Sequence, residues 1–419
     1  FSLKDSSLLD YNSQIASRVD HLRRIYKIDK NPSDTQMRTI LDEVAPTEIE
    51  RVKKRVLQKV KKAGLLEEFE YFKGWKLLLV DGVHHYSSKK VKCKNCQQRN
   101  HEDGSITYSH SMLAAVIAHP DKKEVISLAE EPIVNQDGVT KNDCELNASN
   151  RLIEKVATRN LGEKFIHVED ALYANGPHIR KIQAKGNRFI IRVKPGSGAG
   201  SVIEQYEALK RGENPHSELY KEHKLYKLHG IKKPIPIPEL QQQQKTEGKT
   251  IKEWHYVNGL YLNEANKDLK VSYLRYIERS AQTGKIEKQF EWITDISLTE
   301  WNIEKVTKAG RSRWKIENET FNTLKNQGYH FKHNFGHGHQ NLCTNFALLM
   351  MLAFLIDQIQ QMVNDTFQKA LEKLGRKKYL WRDIRNYFTT LPIASMERIY
   401  NIIIYGFKIE YLEINQNSG

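Results

Sequence analysis

The stretch WKLLLVDGVHHY, residues 75–86, constrains the fold more than any other. Leu77 to Val80 are four consecutive apolar residues, and a strand with one wet face would alternate instead, so this strand is expected to be covered on both faces, as in an α/β sheet flanked by helices. The run stops at Asp81. A buried strand that delivers a carboxylate at its tip needs a reason, because charge is costly there unless it is paired or bound to a metal.

At 419 residues the chain has room for two or three domains and at least one sizeable core. Its 66 Lys and Arg against 51 Asp and Glu give a formal charge of +15, which favours a polyanionic partner. The longest apolar run, FALLMMLAFLI from Phe346 to Ile356, is shorter than the ~20 residues that span a bilayer, so a buried helix and no membrane segment are expected. Four cysteines in a chain of this length make no disulfide framework, and a reducing cytoplasm is the expected compartment. Because it begins on Phe1 rather than Met, the chain is expected to lack an upstream segment.

The elements fall into five stretches. Residues 1–74 read as a helical amino-terminal region, with Ser33 and Asp34 as cap candidates and a second helix rich in Lys and Arg that suits either solvent or phosphates. Residues 75–194 read as three strands, WKLLLVD, HSMLAAVIAH and EVISLAEEPI, then a helix, the strand EKFIHVED, a short helix and the strand RFIIRVK. That order is the order of a ribonuclease H-like core, a mixed sheet with flanking helices. Residues 195–288 read as a β-rich insertion with loops rather than a continued sheet, and its run of four Gln as loop. Residues 289–374 return to the core and supply a further helix, and residues 375–419 form a helical extension.

A second core strand also ends in acid, at Glu169 and Asp170. Alternation puts Asp170 on the face of Ile166 and Val168, and Glu169 on that of His167. Two neighbouring strands with aspartates at their carboxyl ends would crowd like charges, which calls for a cation. On RSRWKIENETFNTLKNQGY, helical spacing puts Trp314, Glu317, Phe321 and Leu324 on one core-facing stripe, with Arg313 and Lys325 at its edges. Asp81, Asp170 and Glu317 would suit Mg²⁺ or Mn²⁺, and two such ions ~4 Å apart can activate a water or 3′-hydroxyl and stabilise the leaving oxygen of a phosphodiester.

The order Asp81, Asp170, Glu317 on this pattern, with a long insertion before the glutamate helix, resembles the DDE transposases of bacterial insertion sequences. The likeness runs from about residue 35 to about residue 360 and is greatest to the branch with a Tyr, Arg, Glu, Lys signature around the third acid. Arg313 and Glu317 match that spacing, whereas Gly310 stands where the signature has Tyr, and Lys325 lies one residue late. The resemblance implies metal-dependent cleavage of double-stranded DNA at terminal inverted repeats, endonuclease chemistry followed by strand transfer into target DNA. It also implies phosphate binding by Arg313 and Lys325, stacking of a flipped base on an aromatic side chain, and a dimer on DNA. Trp292 and Trp301 flank the end of the insertion, where the bland reading is a core anchor.

Other groups in the sequence have simpler roles open to them. Cys93, Cys96, His101 and His110 are candidate ligands for a structural Zn²⁺; the competing reading is a reduced hairpin in which the sulfurs pack. His333, His337 and His339 lie in a Gly-containing loop and read as DNA contacts or helix caps rather than ligands. Asp143 and Glu145 read as acids that favour a helix start. The reading that results is a transposase; its rivals are a nuclease of the same fold without strand transfer and a DNA-binding protein that has lost catalysis.

Overall fold

The computed structural model describes residues 1–138, 140–196, 200–213 and 238–407. Residues 232–237 of the Pro-rich stretch and the end of the chain beyond residue 407 lie outside the described residues. The chain divides into two compact units, one of Phe1–Arg55, His85–His110 and Thr320–Gly419, the other of Val56–His84 and Ser111–Glu319.

Among the described residues there are eleven strands: β1 Glu70–Phe72, β2 Trp75–Ser88, β3 Gln97–Asn100, β4 Ile106–Ala118, β5 Val125–Ile133, β6 Phe165–Glu169, β7 Arg188–Arg192, β8 Gln241–Glu247, β9 Thr250–Tyr261, β10 Lys270–Ser280 and β11 Ile286–Thr294. In the second unit they are hydrogen-bonded in the order β4-β2-β6-β7-β11-β10-β9-β8, with β5 on β4 and β1 on β2. The expected core order is present as β2, β4, β5, the helix Lys141–Ala157, β6, the helix Gly176–Ala184 and β7, a mixed α/β arrangement consistent with a ribonuclease H-like fold. β2, β6 and β7 are parallel, with Leu77 opposite Ile166, Leu79 opposite Val168, and Val168 opposite Ile190. Leu77, Leu78 and Leu79 are 0% exposed, as a strand covered on both faces must be.

Three expectations need correction. The strand that carries Asp81 does not stop there: its pairing with β6 ends at Leu79, but the strand continues to Ser88. The Gln run is not loop but part of β8, with Gln241 opposite Tyr256 and Gln243 opposite Trp254. It is an edge strand, where polar side chains face water and no apolar alternation is required. Nor do the strands of the insertion stand apart from the core. β11 pairs along its length with β10 and at its end with β7, Thr294 opposite Ile190, so the backbone groups on that side of β7 are satisfied by strand addition.

The first unit is largely helical. Ser33 caps the helix Asp34–Glu43 in a reciprocal box with Gln36. The apolar run lies in the helix Leu342–Val363, which is long and apolar enough to cross a membrane, yet 72% of its most apolar window is buried inside the protein, the environment of a core helix. Its amino terminus is capped from a distance: Asp42 accepts the backbone N–H groups of His339, Gln340, Asn341 and Leu342 at 2.8–3.0 Å. β3 and the start of β4 form a hairpin in this unit, with Gln97 opposite Ser109.

Candidate active site

The β2–β6 register positions the two aspartates. Asp170 retains extended backbone, φ −80° and ψ 173°, and Asp81 and Asp170 each lie two residues beyond the last paired residues, Leu79 and Val168, at the same end of the two parallel strands. Glu169 is on the opposite face and is buried. There His167 Nδ1 lies 3.0 Å and His178 Nε2 2.5 Å from its carboxylate. Burial pushes the Glu169 carboxyl up, but the two imidazoles outweigh it and hold the group down at about 2. Glu169 is thus a paired interior acid, leaving Asp170 to the open face.

Arg313 links the acids that are furthest apart in the chain. Its Nη1 donates to Asp81 Oδ2 at 2.8 Å, across 232 residues of sequence, and its Nη2 donates to Glu317 Oε1 at 2.7 Å. Burial works against the guanidinium charge, and Asp81, Glu317 and Asp170 more than restore it. Asp81 also accepts the Gly82 N–H at 2.9 Å. Even so, burial pushes its carboxyl up to about 6: Arg313 and the Gly82 amide pull it down, while Glu317 adds to the rise. One guanidinium does not neutralise both acids it pairs, and carboxylate oxygens are the donors that a hard divalent cation takes, although among the described residues it is the Cys/His cluster described below, and not these acids, whose ligand atoms are already gathered around one point. Lys194 Nζ lies 4.0 Å from Asp170.

The glutamate helix differs from the expected regular α-helix. Ile316–Asn322 is wound as a π-helix, whose i→i+5 hydrogen bonds displace the stripe that regular spacing would produce. Ile316, Thr320, Phe321 and Leu324 are buried, whereas Trp314 and the Glu317 side chain, 52% accessible, are exposed. Glu317 therefore lies in an open, Arg-paired position rather than on a core-facing stripe. Lys325 belongs to the first unit, where its ammonium lies 6.0 Å from the centre of the Phe321 ring.

A fourth acid is present that the sequence reading assigned to helix capping. A Cβ on Gly82 would meet Glu145 Oε1 at 2.8 Å, so Glu145 stands directly against the residue that follows Asp81. Burial raises its carboxyl; Lys141 opposes the rise and Asp170 adds to it. The requirement for a glycine after Asp81 was the one available signal, and it names no partner. Trp292 is a core residue, 2% exposed and stacked on Phe290, but Trp301 is 86% exposed.

In the first unit, Cys93, Cys96 and His110 come together with His337, all four ligand atoms within 4.8 Å of one another. His101 is not among them: its Nε2 lies 2.7 Å from the Thr107 hydroxyl across the β3–β4 hairpin. Burial pushes the Cys96 thiol up to about 11. His337 lies 227 residues from His110, too far along the chain for any spacing rule to connect them.

The family described as Transposase DDE domain matches residues 88–355. No curated protein matches the chain. Transposases of this family act on DNA and use divalent metal ions, and DNA as partner is in keeping with the charge of +15.

Proposed function

The chain belongs to the transposase DDE domain family, and from that premise we propose that it cuts DNA at transposon ends and joins the freed 3′-hydroxyl to target DNA, using Asp81, Asp170 and Glu317 as the acids that hold two Mg²⁺ or Mn²⁺ ions. The observation that carries this reading is the pairing of Arg313 with both Asp81 and Glu317, with Asp170 close enough to add to the pull on the same guanidinium. When bound, the ions would activate the attacking water or hydroxyl and stabilise the leaving oxygen.

The protein's own groups do the rest. Arg313 pairs with Asp81 and Glu317 in the free chain, and its planar fork would suit bidentate binding of the phosphate beside the scissile bond. Glu145, which stands against Gly82, would add its negative charge to the field on a bound cation. Trp301, exposed at the end of the insertion, offers a face on which an unpaired base can stack. The amino-terminal helical region contributes to recognition of the terminal inverted repeats, and joining two ends in one event calls for a dimer on DNA. Lys325 assists as a point charge on the backbone.

A strand-transfer assay with a pre-cut end tests the proposal. Joined product with Mg²⁺ or Mn²⁺, lost on Asp170→Asn, supports it. Cleavage without joining would leave a nuclease of the same fold, and DNA binding that is equal in wild type and Asp81→Ala, with no cleavage by either, would leave a DNA-binding protein.

A further inference from the structure

We propose that Cys93, Cys96, His110 and His337 bind one structural zinc ion, and that this ion ties the hairpin of residues 85–110 to the loop that precedes the helix Leu342–Val363. The proposal concerns the first unit alone and goes beyond the DNA chemistry proposed above.

Zinc takes sulfur at ~2.3 Å and imidazole nitrogen at ~2.0–2.1 Å in a tetrahedron, so its ligand atoms should stand ~3.8 Å apart for two sulfurs, ~3.6 Å for sulfur and nitrogen and ~3.3 Å for two nitrogens. Cys93 Sγ and Cys96 Sγ are 3.8 Å apart. His110 Nε2 lies 3.5 Å from Cys93 Sγ and 3.3 Å from Cys96 Sγ. His337 Nε2 lies 3.4 Å from Cys96 Sγ and 3.2 Å from His110 Nε2. Five of the six edges therefore fall within a few tenths of an ångström of a zinc tetrahedron.

Surrounding contacts favour the same reading. His337 Nδ1 lies 2.9 Å from the Gly338 carbonyl, a contact it can make only as a donor, which leaves Nε2 with a bare lone pair aimed at the cluster. The Cys93 N–H donates to Cys96 Sγ at 3.4 Å, and the Cys96 N–H to the Cys93 carbonyl at 3.2 Å, the tight turn that lets both sulfurs reach one point. Two thiols that lose their protons to solvent on binding would cancel the two charges of the ion, so the site can be buried without net charge. A disulfide is the rival use of the cysteines, but 3.8 Å is far beyond the ~2.05 Å of an S–S bond.

The consequence lies in the loop. Asp42 fixes it from one side through the amides of residues 339–342, and zinc would fix it from the other through His337. Thiolates and imidazoles select zinc over magnesium, so the two metal sites are separable by experiment.

The test is metal analysis of the full chain expressed with zinc supplied. The expected result is about one zinc per chain, lost in Cys96→Ser and His337→Ala, kept in His101→Ala and in the conservative His337→Cys. Replacement by Co²⁺ should give the thiolate charge-transfer band and the intense visible bands of a tetrahedral sulfur site. Wild-type protein that carries no zinc and gives no such cobalt spectrum would overturn the proposal, as would loss of metal in His101→Ala with retention in His337→Ala. Neither readout depends on DNA cleavage.

Discussion

Gly310 stands where the resembling branch has tyrosine, and its surroundings set the cost of any side chain there. An ideal Cβ would lie 2.6 Å from Trp292 Cε2 and 2.7 Å from Nε1. Ordinary carbon contacts are ~3.5–4.0 Å, so about 1 Å must be opened. The indole cannot supply it cheaply, being 2% exposed and stacked on Phe290 at 5.5 Å with the rings 8° from parallel. Overpacking of a rigid core costs ~1–3 kcal/mol, and this intrusion belongs at the upper end. Alanine in the helix Ile303–Arg311 returns ~1 kcal/mol of propensity. Gly310→Ala should thus lose ~2 kcal/mol, a fall of roughly 4–8 °C in the melting temperature of a unit this size. Melting followed by circular dichroism and tryptophan fluorescence measures it, and Trp292→Phe in the same chain should recover part of the loss, a coupling of ~1 kcal/mol. Gly310→Ala melting at or above the wild-type temperature, with no coupling to Trp292, would refute the reasoning.

Four further outcomes are expected. Asp42→Ala should destabilise the first unit by ~1–3 kcal/mol, because four amides lose a charged acceptor. The amides outweigh burial to hold the Asp42 carboxyl below its usual range, so that contribution is present above the ordinary aspartate pKa and is lost as pH falls through the depressed folded value; acid melts of wild type and Asp42→Ala should converge there. Arg313→Gln should lower cleavage by ~10²–10³ with smaller loss of DNA binding, since a positioned charge is removed. Glu145→Gln should raise the Mn²⁺ concentration for half-maximal cleavage while most of the rate at saturating metal remains; an unchanged metal curve would remove Glu145 from the site. Trp301→Ala should leave the melting temperature unmoved and weaken binding of DNA with an unpaired end by ~1–3 kcal/mol, read by fluorescence anisotropy.

The parts of this molecule that were legible in sequence are those set by local periodicity. The unbroken Leu77–Val80 run announced a strand covered on both faces, and the alternation in FIHVED separated Asp170 from Glu169 before the two histidines on Glu169 were seen. Features that depend on hydrogen bonds between distant segments were not legible. The polar Gln run became a strand because β9 offered it an edge, and the insertion joined the core because β7 had one to fill. π-winding from Ile316 moved Glu317 off the stripe that regular helical spacing assigns. His337 and Glu145 reach their clusters through folding across many residues, and no local pattern marks either.

The most direct test of the account is a crystal structure of the protein with Mn²⁺ soaked in, read from the anomalous signal of the ion. The account predicts a peak within bonding reach of Asp81, Asp170 and Glu317, with Arg313 displaced from both carboxylates it holds in the free chain. A peak bound elsewhere, with Arg313 still joined to Asp81 and Glu317, would contradict it.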